Sequence, residues 1–207
     1  MTAPQTIQPA MKKLHLPAVG IIGLVLIAAA AGGIAYTQFL HPPSTVCQVI
    51  PAHRLYVMQA IIHEDGGFNI HSAYKLNSTA STLPKFNSTY GPVLPNSNTT
   101  QVPNPSDKSL ISGNVGDIIT LYIHPVSTNE SVVQQQGLTG HGFAFDSTSF
   151  FSITNSTIPS SGLISFGNWY TISLQITGQG QTKYRCTQVC STEHPQMNGS
   201  ISVGCGG

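Results

Sequence analysis

Hydrophobic positions fall into two regimes along the chain. From residue 18 to residue 35 they run unbroken (AVGIIGLVLIAAAAGGIA), and no formally charged side chain occurs between Lys13 and Arg54. Beyond residue 40 the apolar positions come in short bursts, several alternating with polar ones. Ile119, Leu121 and Ile123 alternate with Thr120, Tyr122 and His124; Ile172, Leu174 and Ile176 alternate with Ser173, Gln175 and Thr177. Period-two alternation is the pattern of a strand with one buried face. Strands are therefore expected over residues 54–62, 109–112, 117–124, 142–145, 150–154, 169–177, 182–186 and 199–203. Gly66-Gly67, Gly113-Asn114, Gly116-Asp117 and Gly178 to Gly180 punctuate them as turns, and no helical periodicity appears after residue 40. The reading is all-β: a Greek-key β-sandwich behind one N-terminal apolar helix.

A helix over residues 16–40 would rise roughly 37 Å, enough to cross a bilayer core of roughly 30 Å with some tilt. The run is longer than the roughly 7 to 15 apolar residues of a cleaved signal peptide, so a retained membrane anchor is expected. Lys12 and Lys13 precede it and no Lys or Arg follows until Arg54. The positive-inside bias then gives a cytoplasmic tail (1–15), a single transmembrane helix (16–40) and an exterior domain (41–207) on the cell membrane.

Composition sharpens this picture. Charged residues make up 7% of the 207, and the net charge is +1; ordinary soluble domains carry roughly 25%. With no basic stretch beyond Lys12-Lys13, nucleic-acid binding is excluded. Residues 72–108 contain 21 Ser, Thr, Asn or Pro among 37 and read as a long surface loop inserted in the sandwich. Six Asn-x-Ser/Thr sequons begin at Asn77, Asn87, Asn98, Asn129, Asn155 and Asn198, all on the expected outer side.

Candidate chemistry is concentrated near the C-terminus, in YRCTQVCSTEHPQMNGSISV. Cys186, Cys190, His194 and Met197 are spaced C-x3-C-x3-H-x2-M on one loop between two expected strands. Two thiols, an imidazole and a thioether select copper over oxygen-seeking calcium or magnesium. Cys, His and Met in that order are the loop ligands of a cupredoxin, which takes one further His from an earlier strand. His141 in TGHGFAF, flanked by glycines, is the best donor, with His63, His71 and His124 as competitors. A mononuclear blue-copper site needs only one Cys, leaving Cys186 incidental. With both sulfurs in one pocket, they can instead bridge two copper ions, with His141 and His194 as imidazole ligands, Met197 as one weak ligand and the Gln188 carbonyl as another. Phe143, Phe145 and Tyr184 are candidates for the apolar shell. A local Cys186–Cys190 disulfide in a surface adhesion module is the competing reading without copper. Cys47 and Cys205, at opposite ends of the exterior domain, are expected to pair as a disulfide.

The loop CTQVCSTEHPQM, the upstream GHGFAFD, the segment SLISGNVGDIITLYIHP and the N-terminal apolar run together resemble subunit II of haem-copper terminal oxidases, over residues 16–70 and 109–203. The resemblance implies a cupredoxin domain with a binuclear CuA centre ligated by His141, Cys186, Gln188, Cys190, His194 and Met197. It implies two copper ions, an exterior electron donor (a small copper protein or cytochrome c) and a haem-containing subunit I in the membrane that reduces oxygen to water. Such a subunit belongs to a cytochrome c oxidase-type enzyme and is not catalytic alone. One membrane helix and Gln at 188 are similar to the B-type oxidases, whereas two-helix members usually have Glu there, which helps hold magnesium. The family's tryptophan-rich electron-accepting stretch is missing: this chain reads QAIIHEDGGFNI, and its one tryptophan is Trp169.

Overall fold

The computed structural model describes residues 50–78, 82–128 and 137–205. The expected tail (1–15), the expected membrane helix (16–40) and Cys47 lie outside the described residues. The chain divides into two units, Met1–Val46 and Cys47–Gly207, and everything described belongs to the second. Among the described residues no helix is long and apolar enough to cross a membrane.

Those residues form fourteen strands and two single 3-10 turns. In chain order the strands are β1 (His53–Ala60), β2 (Phe68–Leu76), β3 (Phe86–Asn87), β4 (Gly91–Pro92), β5 (Thr99–Val102), β6 (Leu110–Asn114), β7 (Ile118–Pro125), β8 (Gly140–Gly142), β9 (Ala144–Phe145), β10 (Phe151–Ser156), β11 (Leu163–Ser165), β12 (Tyr170–Ile176), β13 (Gly180–Arg185) and β14 (Asn198–Gly204). A six-stranded sheet runs β10-β12-β7-β1-β2-β5 and a four-stranded sheet runs β6-β14-β13-β9. Neighbours are antiparallel except β1 with β7 and β14 with β6. The chain switches between these two sheets five times: from β5 to β6, β6 to β7, β7 to β9 by way of β8, β9 to β10, and β12 to β13. A small β8-β11 ladder closes one end.

Alternation explains the main core. Met58 and Ala60 of β1, Ile119, Leu121 and Ile123 of β7, and Ile172, Leu174 and Ile176 of β12 face Ile111, Tyr184, Ile201 and Val203 of the other sheet. Burying a Leu or Ile fully is worth roughly 1.5–3 kcal/mol, and Met58, Ile119, Leu121, Ile123, Leu174 and Ile201 are completely buried. The buried aspartate Asp117 pins the start of the domain: it accepts from Ala52 N at 2.8 Å, Arg54 Nε at 2.6 Å and Asn114 N at 2.9 Å.

Residues 72–108 are more ordered than a surface excursion. Residues 72–76 complete β2, β3 and β4 form a small hairpin, and β5 adds an edge strand to the six-stranded sheet. On the outer face of that sheet Leu55, Tyr74, Leu76 and Tyr122 form a second apolar cluster, against which Phe86, Leu94 and Trp169 pack. The inserted residues thus act as a cover over a hydrophobic face. Asn77 ties the cover down, donating from Nδ2 to Ser97 O at 3.1 Å and accepting from Thr100 Oγ1 at 2.6 Å.

Candidate metal centre

Cys186 directly follows β13 and Met197 directly precedes β14, so residues 186–197 form the closed loop of one hairpin. The last ladder pair is Arg185 with Asn198, and Cys186 N donates to Met197 O at 3.0 Å across the neck. Within the loop a 3-10 turn, His194–Gln196, is closed by Gln196 N to Glu193 O at 2.8 Å and Met197 N to His194 O at 3.0 Å. The turn directs the His194 ring and the Met197 thioether back towards the cysteines.

The sulfurs of Cys186 and Cys190 are 3.8 Å apart. Cys190 Sγ lies 3.8 Å from His194 Nδ1 and 3.6 Å from Met197 Sδ, and Cys186 Sγ lies 3.1 Å from the Gln188 carbonyl oxygen. Two donors on one tetrahedral ion with bonds of about 2.3 Å stand roughly 3.8 Å apart, so the sulfur–sulfur and sulfur–imidazole separations are compatible with a shared metal. A disulfide would need about 2.04 Å, and both cysteines are free; the local Cys186–Cys190 staple is not formed.

His141 comes from β8. Its donor atom and the sulfurs of Cys186 and Cys190 all lie within 4.8 Å of one another, and all three residues are buried. The ring is fully buried with Nε2 3.4 Å from the Val126 carbonyl oxygen. A carbonyl can only accept, so Nε2 carries the proton and the lone pair is on Nδ1, which has no hydrogen-bond partner. A buried, unpartnered imidazole nitrogen aimed at two thiols is the donor that a metal would satisfy, with the Val126 bond fixing tautomer and ring orientation. Phe166 meets the ring edge-on at 5.0 Å.

The glycines around His141 are needed for close approach. A Cβ on Gly142 would sit 2.6 Å from Thr187 N and 2.8 Å from Gln188 N; one on Gly140 would sit 2.8 Å from the Ile164 carbonyl carbon. β8 can therefore lie directly against the loop, and Gly142 N–H donates to Cys186 Sγ at 3.3 Å.

Without metal the two thiols titrate as a pair. The Cys190 thiol donates to Cys186 and pulls its pKa well below the ordinary thiol range; burial opposes this, and the His141 side chain, the Gln188 backbone and the Gly142 N–H support it. Cys190 is pushed up, chiefly because it is the proton donor to Cys186. The pocket thus favours one thiolate even when empty of cations, which lowers the cost of presenting soft sulfur to a metal.

Among the six expected ligand groups, Cys186, Cys190, His141 and Met197 are buried, His194 is half-buried and the Gln188 side chain is exposed, while its carbonyl oxygen faces Cys186 Sγ. The competing histidines are elsewhere. His71 Nε2 meets Gln59 Oε1 at 3.0 Å, His124 stacks on Trp169 with centroids 4.6 Å apart, and His63 Nε2 lies 3.7 Å from Glu193 Oε2 beside the loop. Phe143 and Tyr184 pack in the same buried cluster as both cysteines and Met197, with Phe145 against its side. Phe68, which the sequence did not single out, meets Phe143 and Tyr184 edge-on at 5.7 and 5.2 Å. Cys205 is disulfide-bonded, while Cys47, its expected partner, lies outside the described residues.

No family model and no curated protein matches the chain. Solved structures with partial likeness include a heme-copper terminal oxidase dimer determined by cryo-EM, at 12% identity and TM-score 0.39, covering 90% of this chain and 99% of that one. Rusticyanin from Thiobacillus ferrooxidans is similar at 14% identity and TM-score 0.34, covering 72% of this chain and 76% of that one. A cysteine protease inhibitor from Entamoeba histolytica is similar at 19% identity and TM-score 0.28, over 45% of this chain and 82% of the inhibitor.

Proposed function

We propose that this chain is the electron-relay subunit of a membrane terminal oxidase, holding a binuclear copper centre of the CuA type on a cupredoxin-like sandwich. One observation carries the reading: a single buried pocket brings together two free thiols 3.8 Å apart, an unpartnered His141 Nδ1, His194 Nδ1, the Met197 thioether and the Gln188 carbonyl. A mononuclear site would leave one buried thiol without a role.

Cys186, Cys190, His141, His194, Met197 and the Gln188 carbonyl would hold the metals, the thiolates and imidazoles supplying the soft and basic donors that copper takes. The copper pair supplies a one-electron couple shared over both metals, so that each bond changes little on reduction. The residues do the remainder. Val126 holds the His141 ring in one tautomer, and Gly142 N–H stabilises sulfur charge. Phe143, Tyr184 and Phe68 exclude water, which lets the surrounding apolar packing set the potential. The half-buried His194 ring is where the centre comes nearest to solvent. In this reading residues 16–40 anchor the domain with the N-terminus cytoplasmic, and Cys47 is the disulfide partner of Cys205. An exterior donor, a small copper protein or cytochrome c, reduces the centre, and a haem-bearing subunit I takes the electron on to oxygen.

The test is copper stoichiometry with an electron-spin resonance spectrum on the full chain in detergent. Two coppers per chain with hyperfine structure from one electron over two equivalent nuclei is the expected result. One copper coupled to a single nucleus overturns the binuclear reading in favour of a mononuclear blue-copper carrier, with Cys190, His141, His194 and Met197 as ligands.

A further inference from the structure

The β1–β2 turn reaches across to the metal loop. It is a 3-10 turn, His63–Asp65, closed by Gly66 and Gly67 at φ 125° and 64°, which non-glycine residues rarely adopt. Glu64 Oε1 accepts a hydrogen bond from Glu193 N at 3.2 Å and another from Thr192 Oγ1 at 3.2 Å, linking segments 128 and 129 positions apart in sequence. Thr192 and Glu193 lead directly into the turn that presents His194, and the Glu193 carbonyl closes that turn. The Glu193 peptide is therefore held on both sides: its N–H by Glu64 and its C=O by Gln196.

We propose that Glu64 is a positioning residue of the metal centre, whose carboxylate fixes the Glu193 peptide, and through it the His194 ring, while its negative charge lowers the reduction potential of the metals. The charge argument is elementary: the oxidised centre carries one more positive charge than the reduced one, so a nearby anion favours the oxidised state. The hydrogen bond that Glu64 accepts from Glu193 N places its carboxylate against the residue next to His194 in the chain. Burial pushes the Glu64 carboxyl up, but hydrogen bonds from its own backbone and from Ser191, Glu193 and Thr192 of the loop together outweigh it and hold the carboxyl below its ordinary pKa. The carboxylate thus stays charged at neutral pH.

The proposal rests on the copper reading of the pocket, and two substitutions separate its parts. Glu64→Gln keeps an acceptor oxygen and removes the charge; Glu64→Ala removes both. In the full chain loaded with copper, Glu64→Gln is expected to raise the reduction potential with the hyperfine pattern unaltered, by more than Asp65→Asn, the neighbouring exposed acid on the same turn. In the metal-free full chain, Glu64→Ala is expected to speed hydrogen exchange at the Glu193 amide about tenfold, the loss of roughly one hydrogen bond, while Glu64→Gln leaves it near the unaltered rate. An unchanged potential in Glu64→Gln, or one matched by Asp65→Asn, overturns the tuning role. An unchanged Glu193 amide in Glu64→Ala overturns the positioning role. Failure of the unaltered chain to take two coppers would instead fall on the copper reading, and the exchange measurement, made without metal, still decides the positioning role.

Discussion

Gly142 has no side chain to offer the proposed metal centre, yet the approach of His141 to the two cysteines depends on it. An added Cβ would meet the Thr187 hydroxyl first, and behind it the backbone nitrogens of Thr187 and Gln188, 2.6 and 2.8 Å away, which cannot swing aside as a side chain could. Gly142→Ala must push β8 from the loop, and with it the His141 ring and the N–H that reaches Cys186 Sγ. The expected cost is about 1–3 kcal/mol, as for other insertions into close-packed sites, together with weakened copper binding. Urea unfolding of the metal-free protein and copper titration check both; unchanged affinity would mean that His141 is not held against the loop. That Cys186, Gln188, Cys190, His194 and Met197 come together was legible in the sequence because they are local, within twelve consecutive residues. That His141 joins the two cysteines was readable from its two flanking glycines. The Val126 carbonyl and Glu64 were not. A backbone oxygen has no sequence signature, and the Glu64 contact spans 128 positions through a turn whose sequence, HEDGG, reads as an ordinary polar connection.

At the scale of elements, strands buried on one face announced themselves and the others did not. β7 and β12 alternate aliphatic with polar or aromatic residues, and the run holding β1, RLYVMQAII, is rich in β-branched and aromatic residues, so all three were readable within one or two residues. β2 was missed because its parity flips. Between the Val57–Ser72 and Met58–Ile70 pairs a bulge at His71 inserts one residue, so Phe68, Ile70 and Ala73 face the main core while Tyr74 and Leu76 face the outer cluster. The cover built from residues 82–102 was unreadable for a different reason: it holds itself down by single anchors among Ser, Thr, Asn and Pro, with no repeat to detect. Phe86 is the clearest anchor, stacked on Tyr122 with centroids 5.7 Å apart. Because Phe86 is only half-buried, Phe86→Ala should cost roughly 2 kcal/mol, below the roughly 3–5 of a fully buried Phe. It should leave copper binding intact, since the outer cluster shares no residue with the metal pocket. Denaturant midpoints of the Phe86→Ala variant, with and without copper, check this; a loss of metal affinity would couple the cover to the centre.

Across the whole molecule the metal donors sit together at one end of the sandwich. β1 starts beside Asp117 at His53, and about 26 Å further along, at roughly 3.3 Å per residue, it ends at the turn that carries Glu64. The six-stranded sheet through β1, β7 and β12 is stabilised along its length by its ladders and apolar side chains, whereas residues 186–197 are joined to the domain by the hairpin neck, the Glu64, His63 and Gly142 contacts and the buried Cys186, Cys190 and Met197. Removing copper should therefore act unevenly. A ligand present at a thousand times its dissociation constant stabilises the folded state by about 4 kcal/mol, so the metal-free protein should melt at a lower temperature by an amount that grows with free copper in the loaded sample. Locally, amides of the 186–197 loop and of β8 should lose hydrogen-exchange protection on copper removal, while those of β1, β7 and β12 should open only with global unfolding. His141→Ala tests the same division from the other side. It should abolish most of the copper-dependent rise in melting temperature while leaving the central strands protected in the metal-free state. Loss of protection throughout the sandwich on copper removal would mean that the metal organises the whole domain instead of closing one end of it.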